Sequence, residues 1–189
     1  MSSSIDFYFD FSSPYGYLAS EKIEAMAARH GRSVDWHPVL LGVIFKQTGA
    51  APLTMIPLKG DYSKRDMLRS ARFHGVTGFR MPSKFPIPSQ APARIVLWQK
   101  QHDAALAATV VHALYRAFFV DDIDISVPEN AAAAAAKCGV DAAAARAAID
   151  DPEIKDALRE ANDEAIARGV FGSPFIIVDG EPFWGMDRF

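Results

Sequence analysis

Residues 5–19 read I-D-F-Y-F-D-F-S-S-P-Y-G-Y-L-A, and this stretch decides the fold. From Ile5 to Phe11 the positions alternate, with Ile5, Phe7, Phe9 and Phe11 on one side and Asp6, Tyr8 and Asp10 on the other. A period of two is that of a strand with at least one buried face. Ser13 followed by Pro14 then fits a helix start, because proline loses nothing at a position whose N–H has no helical partner. The same place offers free backbone N–H groups and the positive end of a helix dipole, a setting that favours an anion. On these residues Ser13 reads either as a plain helix cap or as the edge of an anion site. No Gly-x-Ser-x-Gly elbow surrounds it, which speaks against a hydrolase.

Working outward, Leu18, Ile23, Met26 and Ala27 recur near helical spacing, and Gly31 marks the end of that helix. Val34 and Trp36 open a second strand that Pro38 interrupts. Strand, helix and strand within forty residues form a unit whose strands are most simply parallel and whose crossover is right-handed. At the other end, Phe175 to Val178 and Pro182 to Trp184 read as strands joined by the turn pair Asp179-Gly180. Between the ends the texture is helical. Residues 75–92 carry Pro82, Pro86, Pro88 and Pro92 and read as a loop. Leu106, Val110, Leu114 and Phe118 form an i, i+4 stripe, and the alanine runs 131–136 and 142–145 favour helix by propensity. The expected class is therefore α/β: residues 1–41 and 169–189 supply one sheet, and 42–168 form an all-helical insertion.

Composition narrows the function. With 189 residues, half of them hydrophobic by type, the chain can bury a full core. A single cysteine cannot make an internal disulfide, a multi-thiolate zinc site or a Cys-x-x-Cys redox centre. Twenty Lys plus Arg against 23 Asp plus Glu, with no basic block, remove the footprint of a nucleic-acid binder. No apolar run approaches the roughly 20 residues that span a bilayer, and Met1 to Ser4 lack a charged leader. The expected location is the cytoplasm. The five histidines, His30, His37, His74, His102 and His112, show no pair at metal-ligand spacing, so no metal is expected. Cys138, beside Gly139 at the end of an alanine-rich helix, reads as an incidental thiol. Lys64, Arg65, Arg69 and Arg72 read as a solvated helix face with one member free to turn toward a cleft.

Two further segments invite chemistry. In Phe171-Gly172-Ser173-Pro174-Phe175 a proline enters an apolar strand, which places it at the first residue, at an edge, or in a cis bond at a tight turn. Taken alone it reads as trans. Trp184-Gly185-Met186-Asp187-Arg188 puts a carboxylate and a guanidinium after a strand, equally readable as a surface ion pair or a cap.

Together these segments resemble the thioredoxin-fold branch that holds 2-hydroxychromene-2-carboxylate isomerases and kappa-class glutathione transferases, related to DsbA-type oxidoreductases. The resemblance rests on residues 6–19, on I-P-L-K-G-D-Y at 56–62 with Asp66 and Arg69 beyond it, and on the two segments just quoted. It runs in order along essentially the whole chain. It implies a thioredoxin-like fold with a large helical insertion and a glutathione cofactor. Disulfide-exchanging relatives begin this helix Cys-Pro-x-Cys; here the four positions are Ser13-Pro14-Tyr15-Gly16, so the sulfur must come from a ligand. The resemblance makes Ser13 the activator of glutathione's thiol, through a hydrogen bond to the thiolate beside the helix mouth. It further implies a cis Pro174, with Ser173 pairing its backbone to the cysteinyl portion. Met186 and Asp187 would lie at the γ-glutamyl end, and Lys59 at the glycyl carboxylate. Family members often have serine or asparagine at Met186, and an asparagine where this chain has Ala50.

The expected function is glutathione-dependent cis-trans isomerisation of 2-hydroxychromene-2-carboxylate, or a related aromatic keto acid, to trans-o-hydroxybenzylidenepyruvate. Trp98, Tyr115 and Phe118 are candidates to roof an apolar slot for the aryl group, with plain core as the alternative. A kappa-class transferase or peroxidase, which consumes the thiolate, is the second reading, and a non-catalytic thioredoxin-fold binding module the third. The expected partners are glutathione and a small aromatic acid, with a homodimer allowed. Relatives continue past the Trp184 to Arg188 element into a terminal helix, whereas this chain stops at Phe189. A sheet face near Phe183 and Trp184 is then expected to lack its cover or to receive it from another subunit.

Overall fold

A computed structural model describes residues 4–189; the reading of the first three residues as leaderless lies outside the described part. Strand β1 (Ile5–Phe9) pairs in parallel with β2 (Val34–Pro38) through helix α1 (Pro14–Arg29), as the opening alternation requires. At the far end of the chain β3 (Phe175–Val178) adds antiparallel to β1, and β4 (Glu181–Trp184) antiparallel to β3. The order β2-β1-β3-β4 is one sheet built from both ends of the sequence. The β3–β4 turn uses Asp179 and Gly180 at φ of 52° and 89°, the left-handed pair that a two-residue hairpin needs. Pro182 sits on β4, an edge strand, where a missing N–H is tolerated.

Between β2 and β3 run α2 (Leu41–Thr48), a 3-10 turn at Leu53–Met55, α3 (Lys59–Phe73), α4 (Gln90–His102), α5 (Ala104–Phe119), α6 (Pro128–Ala136), α7 (Ala142–Asp150) and α8 (Pro152–Ala167). The sheet's two faces sort the side chains. Ile5, Phe7, Phe9, Trp36 and Ile176 face a continuous apolar cluster with α1, α4 and α5 that extends to the alanines of α6 and α7. Phe7 meets Trp36 edge-on at 5.0 Å between ring centres, and each fully buried phenylalanine contributes about 2–3 kcal/mol. Tyr8, Phe175 and Ile177 face the other way, against Ile44 of α2 and Ala165 of α8.

Two local expectations need correction. The ladder stops at Phe9, so Asp10 is not an outward strand residue but turns under the mouth of α1. Pro92 lies inside α4 rather than in the loop before it; it occupies the first turn, where the N–H has no helical partner.

Candidate active site

Helix α1 begins with Ser13 as its N-cap, 5% exposed. Its Oγ accepts from Gly16 N at 3.0 Å and donates to the Ser173 carbonyl at 2.9 Å. The Ser173-Pro174 peptide is cis, and the two chain ends thus meet at the helix mouth. Gly16 is what permits this approach. A Cβ there would stand 2.6 Å from Ser173 Oγ and 2.7 Å from Tyr115 Oη, closer than real Cβ atoms tolerate, and 3.1 Å from Ser13 Cβ, a tight contact.

Around this mouth opens a cleft of about 2120 Å³. Ser13, Ser173, Pro174, Met186 and Asp187 all line it, so five of the six residues picked from sequence come together. Lys59 does not line it; it stands exposed at the start of α3. Met186 is buried in a 3-10 turn at Met186–Arg188, whereas the Asp187 carboxylate is exposed. Gly185, at φ 102°, is required there because a Cβ would collide with the Asp187 carboxylate.

The apolar wall differs from expectation. Tyr115 and Phe118 are wholly buried in the core, and neither they nor Trp98 line the cleft. Phe45, Phe73, Phe85, Phe171 and Trp184 do. Phe171 packs edge-on against Trp184 at 5.0 Å, over Gly172, whose missing side chain leaves room for the indole. Basic groups also face the opening: Lys46 from α2, and Arg69 and Arg72 from the run read as a solvated face. Tyr15 Oη donates to Asp66 Oδ2 at 2.7 Å, tying the first turn of α1 to α3. Burial and the neighbouring Asp66 carboxylate push the Tyr15 phenol far up, so it stays protonated as a donor.

Sequence reasoning also missed Asp10. Its carboxylate accepts from Ser12 N at 2.7 Å and from Leu41 N at 2.6 Å. Burial raises its pKa against those hydrogen bonds. The bond to Ser12, two residues on, is an Asx turn, the one local signal that could have marked it. Elsewhere, Asp6, Asp35 and His37 bring ligand atoms within 4.8 Å of one another, but Lys100 pairs with Asp35 and Arg168 with Asp6, so the group is already neutralised. Burial raises the Cys138 thiol, which lies away from the cleft.

A capped helix mouth facing a cis-proline turn at the ends of the central strands β1 and β3 of a β2-β1-β3-β4 sheet is the site of the thioredoxin class. The chain belongs to the DsbA-like thioredoxin domain family, matched over residues 4–189, and within it to the group of the 2-hydroxychromene-2-carboxylate isomerases. It is 30% identical to the isomerase of that name from Sphingobium xenophagum, over 100% of this chain and 95% of that one. It is 29% identical to glutathione S-transferase kappa 2 of Caenorhabditis elegans, over 97% and 87% respectively. A solved 2-hydroxychromene-2-carboxylate isomerase superposes with a TM-score of 0.87 at 27% identity, covering 97% of this chain and 89% of that structure.

Proposed function

We propose that this protein is an enzyme that isomerises 2-hydroxychromene-2-carboxylate or a related aromatic keto acid with glutathione as cofactor. The observation that carries the reading is a serine hydroxyl, not a sulfur, at the helix mouth beside the cis Ser173-Pro174 turn. The donor set suits a thiol tripeptide: a hydroxyl for the sulfur, the Ser173 backbone for the peptide, and the Asp187 carboxylate for an ammonium. A Cβ at Gly16 would push into this cradle. Bound glutathione would supply a thiolate able to add reversibly to a conjugated double bond, which then rotates as a single bond and re-forms on elimination.

The chain's own part is electrostatic and steric. Ser13 has one proton, given to Ser173 O in the free protein; turning it toward sulfur puts a donor on the anion. The first N–H groups of α1 add their dipole to the same point. The Phe85, Phe171 and Trp184 wall would take the aryl group, and Lys46, Arg69 or Arg72 its carboxylate. Lys59 would meet the glycyl carboxylate only by reaching in from the start of α3.

Incubation of the chromene acid with the protein, with and without glutathione, tests the reading. Product formation that requires glutathione without consuming it is expected. A conjugate that accumulates would instead favour a transferase, the activity named in the kappa relatives at similar identity. No turnover in either condition would refute the isomerase.

A further inference from the structure

We propose that Asp10 is a positioning residue of this site: through its carboxylate and its own backbone it holds the mouths of α1 and α2 and the Ser173 turn around one point. Five hydrogen bonds carry the inference. Oδ1 accepts from Ser12 N, just ahead of α1, and Oδ2 from Leu41 N, the first residue of α2. Asp10 N donates to Ser173 Oγ at 3.0 Å, and its carbonyl accepts from Ser13 N at 2.9 Å and from Tyr115 Oη at 3.0 Å. Asp10 thus joins three of the places from which the proposed contacts arise: the Ser13 cap, the start of α2 that carries Lys46, and the Ser173 turn.

Asp10 is 3% exposed, and among the described residues no lysine or arginine pairs with its carboxylate. A buried charge held by N–H donors alone is a poor device for stability, because burial penalises the ionised form. What it does well is geometry: two acceptor oxygens with no donor of their own can satisfy Ser12 N and Leu41 N together, which a neutral amide of the same shape cannot. Asn at this position would turn an NH2 toward one of the two N–H groups and release either the α1 mouth or α2.

The functional consequence rests on the glutathione reading, so the test has one arm that needs no ligand. Asp10→Asn is compared with wild type and with Ser63→Ala, which loses a buried hydrogen bond to Gly60 O outside the cleft. In the free protein, amide hydrogen exchange at residues 12–16 and 41–44 is expected to quicken about tenfold in Asp10→Asn and not in Ser63→Ala, the change one hydrogen bond to a charged group carries. Glutathione's Kd, by calorimetric titration, is expected to rise about tenfold in Asp10→Asn while its melting temperature falls no further than that of Ser63→Ala. If Asp10→Asn does not fold, Tyr115→Phe, which removes the hydroxyl bonded to Asp10 O, takes its place, with about threefold changes in the same direction at residues 12–16 and in Kd. Exchange at both segments within twofold of wild type in the folded variant would overturn the proposal. So would a Kd that moves only in step with melting temperature. If wild type binds no glutathione, the functional reading fails and the exchange arm alone decides the positioning role.

Discussion

Gly16→Ala puts one methyl group at the crossing of the two chain ends, and its cost follows from the distances. The new Cβ would lie 2.6 Å from Ser173 Oγ and 2.7 Å from Tyr115 Oη. Neither hydroxyl can retreat freely, since Ser173 Oγ accepts from Asp10 N and Tyr115 Oη donates to Asp10 O, each at 3.0 Å. Losing both bonds costs about 2 kcal/mol, and overpacking of this kind costs about 1–3 kcal/mol in its own right. Against this, alanine gains less than about 1 kcal/mol over glycine in a first helical turn. The net is about 2–4 kcal/mol, which for a chain of this size lowers the melting temperature by about 4–16 °C. Thermal unfolding followed by circular dichroism reads the first number. Turnover measured at least 15 °C below the variant's own melting point reads the second, expected to fall by about tenfold or more because Ser13 Cβ is the third atom displaced. An alanine variant with wild-type melting temperature and wild-type rate would refute the close packing at the helix mouth on which the site depends.

Other outcomes follow from the same coordinates. Gly172→Ala forces Trp184 off its present seat, and is expected to raise KM for the aromatic substrate more than it lowers kcat; the reverse split would remove Trp184 from the aryl wall. Gly180→Ala, at φ 89°, is expected to destabilise the hairpin by about 1 kcal/mol without changing KM, read by denaturant midpoint and steady-state kinetics. His112 combines burial, which disfavours its charge, with Glu21 and Glu24, which hold it charged, and its pKa is raised overall. A raised folded-state pKa stabilises fully below the usual value near 6.5 and is lost as pH climbs through the shifted one. Wild type is therefore expected to lose under about 1 kcal/mol relative to His112→Gln between pH 6 and pH 9, a flat difference being the contrary result.

The elements read best from sequence are those whose signal is local. The alternation at Ile5 to Phe9, the Ser13-Pro14 start, the Gly31 stop and the Asp179-Gly180 turn each state a backbone preference within a few residues. Ser13 and the Ser173-Pro174 pair were legible for the same reason, although only the family resemblance joined segments 160 positions apart. Asp10 escaped because the strand pattern continued through it, whereas the ladder ends one residue earlier and the backbone turns. Tyr115, off the Leu106 to Phe118 stripe, was open between a roof for the aryl slot and plain core, and its ring is core; that its hydroxyl reaches Asp10 O depends on how α5 packs under α1. The cleft wall escaped the sequence because Phe45, Phe73, Phe171 and Trp184 come from four separate elements, with no shared periodicity to announce them.

The central claim is that the Ser13 hydroxyl keeps a borrowed thiol ionised, and ultraviolet titration of bound glutathione against pH measures it directly. In wild type the bound thiol is expected to ionise below the usual value near 8.5, and Ser13→Ala to bring it back up by about 1–2 units, the worth of one hydrogen bond to a charged group. A bound thiol that ionises at the same pH in both proteins would contradict the account.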